Sequence, residues 1–274
     1  MPELPEVETV RRGLHSHVVG SKIVAAEQLH PRALSPKSIA RLEVLEGAKI
    51  LDSKRRGKFL WLTLDRPYVL TAHLGMSGQF LIDASDDRHT RALFHLRRGV
   101  KSSNLHFNDQ RTFGWVAIEE LVDGVPTSVQ KIARDPFDPL YDPESVIVNI
   151  KRRNISIKTA ILNQNIVSGI GNIYADESLW LAKVHPERRA GELKEADIAR
   201  ILDAAKEVMS NAIEVGGTSF DELYINVNGE SGYFDISLNA YGQEGEPCTR
   251  CGRQIKRIKF ANRSSHFCPN CQRK

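Results

Sequence analysis

The sequence predicts an α+β protein in two halves, opened by a helix and closed by a metal-binding hairpin. Three observations carry this reading. Short apolar runs of β type, separated by turn residues, fill residues 22–120, the pattern of a sandwich or flattened barrel. Beyond a proline-marked stretch the apolar spacing becomes helical. The four cysteines, Cys248, Cys251, Cys268 and Cys271, form two Cys-x-x-Cys pairs sixteen residues apart near the C-terminus.

Each element has a local cause. Pro5 starts a helix over Pro5–Val18, since proline suits a first helical turn and Glu6 and Glu8 suit the positive end of the dipole. Val7, Val10, Leu14 and Val18 line one face, and Gly20 breaks the helix. Strands are predicted over Lys22–Leu29, Lys49–Lys54, Phe59–Leu64, Tyr68–Leu74, Ala92–Leu96, Leu105–Asn108 and Trp115–Ile118, with Ser38–Leu45 as a second short helix. Pro136, Pro139 and Pro143 mark Lys131–Ser145 as a linker. Helices follow over Ser145–Arg152, Ile157–Asn163, Ala175–Ala182 and Ala196–Val215. Gly216–Tyr233, rich in Gly, Asn and Ser, reads as a mobile lid or as an ordinary surface loop. The expected domains are residues 1–130, a linker over 131–145, a helical domain over 146–247 and a hairpin over 248–274.

Composition narrows the class. A chain of 274 residues fits two domains, and 41% hydrophobic with 26% charged residues describes a globular protein rather than a disordered one. No apolar run approaches the ~18 residues of a membrane span, and the N-terminus lacks the apolar core of a signal peptide, so a cytoplasmic protein without a membrane partner is expected. The net charge of +4 is unevenly spread. From Cys248 onward there are eight Lys or Arg and no acid, which leaves −4 on the rest. Such a tail means nucleic acid or a solvated face.

The cysteine spacing reads as a zinc site, because each pair supplies two thiolates from one knuckle and two knuckles close a tetrahedron. Two disulfides are the alternative, disfavoured in a cytosolic chain. At the other end, removal of Met1 makes Pro2 the N-terminus. A free terminal amine titrates near ~8, so a nucleophilic fraction exists at neutral pH, and attack on a sugar's anomeric carbon yields an iminium. Glu3 stands next to it as a proton donor or acceptor. An ordinary helix start would look the same. Lys54-Arg55-Arg56-Gly57-Lys58 and Lys151-Arg152-Arg153 with Lys158 gather positive charge that serves either anion contact or solvation. Gly169 and Gly171 lack the strand and further glycines of a dinucleotide fold, and read better as a turn into the N-terminus of a helix after Asn172, where one phosphate would fit.

Pro2-Glu3-Leu4-Pro5-Glu6-Val7-Glu8-Thr9-Val10-Arg11-Arg12 closely resembles the N-terminal signature of bacterial formamidopyrimidine-DNA glycosylases, base-excision enzymes for oxidised purines. Lys54–Leu60 matches the family's R-R-x-K-[YF]-L, His73–Gly78 its H-L-x-M-x-G, and Asp109–Gly114 its D-x-R-x-F-G, while Lys158 to about His185 resembles its helix–two-turns–helix element. The resemblance runs from Pro2 to Cys271. It implies an N-terminal β-sandwich domain with a leading helix, and a C-terminal helical domain with helix–two-turns–helix element and zinc-ribbon β-hairpin. It implies a bifunctional glycosylase/AP lyase, monomeric, holding one structural Zn2+ and acting on damaged double-stranded DNA. Pro2 would be the nucleophile and Glu3 its proton donor, with Lys58 and Arg263 supporting proton transfer or phosphate binding. Glu6 would position water or the sugar, Met76, Arg111 and Phe113 would form the wedge that fills the flipped nucleotide's gap, and His73, His89, Arg153, Lys158 and Asn172 would contact DNA. Three positions depart from the family pattern: Thr112 for a second basic residue, Ala133-Arg134-Asp135-Pro136 in the linker, and Asn262 before Arg263. The rivals are an endonuclease VIII-like enzyme for oxidised pyrimidines and a non-catalytic zinc-ribbon protein.

Overall fold

A computed structural model describes residues 2–84, 88–216 and 238–274. The segment Gly216–Tyr233, apart from Gly216 itself, lies outside the described residues. The chain forms two compact units, one built on Met1–Lys131 and the other on Ile132–Glu214 and the C-terminal segment.

The first unit begins with α1 (Leu4–Val18), one residue earlier than predicted, and its buried Val7, Val10, Leu14 and Val18 form the predicted stripe. Among the described residues nine strands follow: β1 (Lys22–Gln28), β2 (Ile50–Arg56), β3 (Phe59–Leu64), β4 (Tyr68–His73), β5 (Gly78–Ile82), β6 (Thr90–Arg98), β7 (Lys101–Asp109), β8 (Trp115–Val122) and β9 (Val125–Pro126). They make two antiparallel sheets, ordered β1-β6-β7-β5 and β2-β3-β4-β8-β9. Alternation places Leu60, Leu62, Leu70, Ala72, Val116 and Ile118 of one sheet, and Phe80, Phe94, Leu96, Leu105 and Phe107 of the other, in one core with the α1 stripe.

Two expectations are corrected here. Residues 38–45 are not a helix: only Leu42–Leu45 form a single 3₁₀ turn. The chain before it follows the edge of β8 instead, with Ser35 N–H on Val116 O, Ile39 N–H on Ile118 O, and the Ser38 hydroxyl accepting Ile118 N–H at 2.8 Å. Strand β5 went unforeseen because it opens on Gly78-Gln79, and its place is set by pairing with β7 rather than by its own composition.

The second unit holds α2 (Pro143–Lys151), α3 (Ile157–Leu162), α4 (Asn172–Leu181), α5 (Glu195–Glu214) and the hairpin β10 (Lys256–Phe260) and β11 (Arg263–Phe267). Asp142 caps α2 by accepting Glu144 N–H and Ser145 N–H, so Pro143 opens a helix rather than sitting in a linker. Between α3 and α4 Gln164 staples the two turns, donating to Leu162 O and Ile170 O and accepting Gly169 N–H at 2.9 Å. Gly169 has φ +93°, which favours glycine. As a result α4 starts at Asn172, at the turn-to-helix junction read from Gly169 and Gly171 and three residues before the start given by the apolar spacing.

Candidate active site

In the first unit the site begins at the capping box of α1. The Glu3 carboxylate accepts the backbone N–H of Glu6, and the Glu6 carboxylate accepts the N–H of Glu3 at 2.8 Å. Pro2 is buried beside it, and Glu3 is 2% exposed. Successive turns of α1 meet successive residues of β2: His15 Nδ1 lies 3.3 Å from Asp52, Arg11 bonds Ser53 O, and Glu8 bonds Arg55 at 3.1 Å. This progression carries the N-terminal turn toward the β2–β3 turn that holds buried Lys58. Burial alone would raise Glu8, but the hydrogen bond from Arg11 and the charges of Arg55 and Arg11 bring its pKa down to about 2.

Register then places His73 beside Phe59, the residue after Lys58, with Trp115 on the other side. The ring lies 4.9 Å from Phe59 and is stacked 6.0 Å from Trp115. Desolvation, with the Lys58 ammonium nearby, lowers the His73 pKa to about 4. Gly75 N–H donates to its Nδ1 at 3.0 Å, which leaves the ring proton on Nε2. His73 is therefore a neutral N–H donor at physiological pH.

Two turns at this end of the sheets present large side chains to solvent. Met76, between β4 and β5, is 38% exposed, and Phe113, between β7 and β8, is 58% exposed. Arg111 is exposed and its Nη1 lies 3.9 Å from the Met76 sulfur. Thr112, at the departure from the family pattern, has φ +57°, an uncommon conformation for a β-branched residue. His89 precedes β6, half-buried, with Arg88 Nε 3.3 Å from its Nε2 and Arg91 Nη2 3.4 Å from its Nδ1.

In the second unit Asp176 of α4 organises the candidates. Its carboxylate accepts Lys158 Nζ at 2.6 Å, Ser265 Oγ–H at 2.8 Å and His266 N–H at 2.9 Å. Lys158 Nζ and Asn172 Nδ2 each donate to Ser264 O at 3.1 Å. Helices α3 and α4 are thus tied to the first turn of β11, where Arg263 stands exposed at the hairpin tip. Arg153, just past α2, is exposed as well. Glu177 accepts the N–H groups of Asn239, Ala240 and Tyr241, bringing the chain back to α4 before the ribbon, while burial pushes its carboxyl up.

Lys158 needs correcting as a DNA contact. Its side chain is 0% exposed, its ammonium is paired with Asp176, and it cannot reach a phosphate from there. A cation taken out of water requires such a partner. Sequence reading missed Asp176 and Asp109. The signal for Asp176 was a pair of acids, Asp176 and Glu177, among the apolar Ile173, Tyr174, Ala175, Leu179 and Trp180 of one helix. Asp109 lay inside a motif read for its Arg and Phe.

The four cysteines are free thiols whose Sγ atoms lie within 4.8 Å of one another. Cys251 and Cys268 sulfurs are 3.5 Å apart, too far for a disulfide but close to the ~3.8 Å that a tetrahedral ion with Zn–S of ~2.3 Å requires. Trp180 donates its indole N–H to Cys248 Sγ at 3.4 Å and stacks under Arg250 at 3.7 Å, docking the knuckle on α4.

Comparison with known proteins agrees with this arrangement. Residues 1–116 match the formamidopyrimidine-DNA glycosylase N-terminal domain, residues 132–223 the formamidopyrimidine-DNA glycosylase H2TH domain, and residues 245–273 the zinc finger found in FPG and IleRS. The chain is 53% identical to a formamidopyrimidine-DNA glycosylase of Corynebacterium glutamicum, covering 100% of both chains, and 53% identical to one of Mycobacterium avium, covering 99% and 98%. It resembles the crystal structure of the MutM (Fpg) protein of Thermus thermophilus, with a TM-score of 0.87 and 35% identity over 99% of this chain and 98% of that one. A Lactococcus lactis Fpg in complex with DNA containing an abasic site gives a TM-score of 0.87 at 35% identity, over 99% and 100%. A MutM in complex with DNA containing carbocyclic 8-oxo-G gives 0.84 at 35%, over 100% of each. With a matching zinc-finger sequence and four convergent thiolates, the ribbon holds one structural zinc.

Proposed function

This chain belongs to the formamidopyrimidine-DNA glycosylase family, and we propose that Pro2 and Glu3 carry its chemistry. The protein is a base-excision repair enzyme, a glycosylase for oxidised purines in duplex DNA that also has AP lyase activity. Its substrates are 8-oxoguanine and formamidopyrimidines, which must be turned out of the stack before they can be cut. Family membership replaces both rivals, the pyrimidine enzyme and the non-catalytic binder.

The observation that carries the residue assignment is the capping box at residues 3 and 6. It holds a carboxylate against the backbone at the residue next to the N-terminal proline, with Glu3 buried. With Met1 removed, the Pro2 amine attacks C1′ of the flipped nucleotide. As the new bond to C1′ forms, the C1′–N bond to the base breaks and its electron pair leaves with the base. The Pro2 nitrogen gives up its proton, and Glu3 protonates the ring oxygen as the C1′–O4′ bond opens to leave the iminium. The iminium acidifies the C2′ hydrogen, and loss of that proton expels the 3′ phosphate. A second elimination expels the 5′ phosphate. Lys58 supports these proton transfers, and desolvation together with the Lys58 charge lowers the pKa of His73, so His73 offers phosphate an N–H rather than a charge. Glu6, engaged with Glu3 N–H, acts by fixing Glu3. Arg263, Asn172, Arg153 and His89 take backbone phosphates, while Met76, Arg111 and Phe113 enter the duplex, a role their exposure supports. The enzyme works as a monomer in the cytoplasm, where its DNA substrate lies, and no helix among the described residues is long and apolar enough to cross a membrane.

Glu3→Gln tests the assignment. It should slow base release from an 8-oxoguanine duplex by about 10²-fold or more, the usual share of a general acid. Cutting of a preformed abasic site should fall far less, since no base has to be expelled. Equal losses on the two substrates would take the proton-donor role away from Glu3.

A further inference from the structure

We propose that Asp109 and Ser77 form a buried clasp that locks Met76, Arg111 and Phe113 into a single rigid wedge, making both of them positioning residues for base extrusion. This rests on the wedge reading above. The wedge side chains come from two different turns, and exposed side chains on independent turns would lose conformational freedom on entering DNA. Here the turns are not independent. The Asp109 carboxylate, 1% exposed, accepts Ser77 Oγ–H at 2.5 Å from the Met76 turn. From the other turn it accepts Arg111 N–H at 3.1 Å and Gly114 N–H at 2.6 Å. Arg111 N–H also reaches Ser77 Oγ at 3.1 Å, which closes a ring across both turns.

All three donors are neutral, so the buried charge is balanced by oriented dipoles. A carboxylate out of water needs such full satisfaction. Asparagine would offer one acceptor oxygen and point an NH2 at a remaining N–H. The backbones also touch: a Cβ on Gly75, whose φ is +61°, would lie 2.5 Å from Gly114 N and Phe113 C. Between Arg111 and Gly114 stands Thr112 at φ +57°, a conformation that persists only where its surroundings over-determine it. The two hydrogen bonds on either side of Thr112 do this. The clasp side chains, Ser77 and Asp109 alike, are buried.

The test is single-turnover kinetics on two duplexes, one with 8-oxoguanine opposite C and one with a preformed abasic site, with a fluorescent base analogue beside the lesion reporting unstacking. Ser77→Ala and Asp109→Asn should each slow base release about tenfold or more, the effect of one hydrogen bond to a charged group needed in the bent complex. Both should delay the unstacking signal and slow abasic-site cutting by less than about threefold. In a Phe113→Ala background neither should slow base release further, because the clasp acts through the wedge. Equal losses on both substrates, or full additivity with Phe113→Ala, would overturn the clasp. If Phe113→Ala impairs base release while the clasp variants match wild type, the clasp fails and the wedge stands. A Phe113→Ala enzyme with normal base release overturns both. Ser77→Ala removes one hydroxyl and nothing else, so it decides the matter alone if Asp109→Asn does not fold.

Discussion

At the scale of single residues, His73 shows how position in a sheet sets chemistry. Strand pairing puts the ring between Phe59 and Trp115 and near the Lys58 ammonium, and both desolvation and that charge oppose protonation. The folded pKa of about 4 lies below the usual histidine value of 6.5. A lowered histidine favours the fold while neutral, so its contribution is complete above pH 6.5 and is lost as pH falls toward about 4, where the folded protein also binds the proton. The loss amounts to up to about 3 kcal/mol. Glu8 works lower: with its pKa at about 2, its contribution is complete above 4.5 and is lost as pH falls from there toward 2. Urea unfolding of wild type and His73→Gln from pH 7 to 4 checks this. The wild type should lose more stability than the variant across that window; parallel curves would mean His73 does not titrate as described.

At the scale of elements, α4 is the hub of the second unit. Asp176 fixes β11 and Lys158, Glu177 fixes residues 239–241, and Trp180 carries the first cysteine knuckle and, through its carbonyl, Arg250. The hairpin that presents Arg263 therefore depends on two supports, the α4 contacts and the zinc. Removing a metal ligand undoes local folding with the metal, because binding and ordering are coupled. Cys248→Ser should abolish zinc in elemental analysis and weaken DNA binding about tenfold or more. The slope of log K against log salt should fall by about one as the Arg263 phosphate contact is lost. Hydrogen exchange across α1 and β1–β9 should not change. Stoichiometric zinc with unaltered affinity in this variant would contradict the ribbon's role.

Across the whole molecule, what could be read from sequence was what is local in sequence. The Pro-Glu start, the cysteine pairs, the α1 stripe and most strands depend on residues within a few positions of each other. The misreadings of Lys158, of β5 and of residues 38–45 were settled at long range. Lys158 resembled its neighbours Arg152 and Arg153 until Asp176, eighteen residues on, and Ser264 of the hairpin claimed its ammonium. Strand β5 exists because β7 pairs with it, and residues 35–39 form a turn rather than a helix because β8 offers Ser35 and Ile39 carbonyls to bond. Asp109 is a common turn residue by sequence and becomes a buried junction only when Ser77 is folded against it.

The central claim is that the amine of Pro2 forms the covalent intermediate, and borohydride trapping tests it most directly. Incubated with an 8-oxoguanine·C duplex and borohydride, the full-length protein should become cross-linked to DNA. Mass spectrometry of the digested adduct should place the bond on the peptide that begins at Pro2. A bond on an internal lysine, or robust trapping by protein whose N-terminus is extended beyond Pro2, would contradict the account.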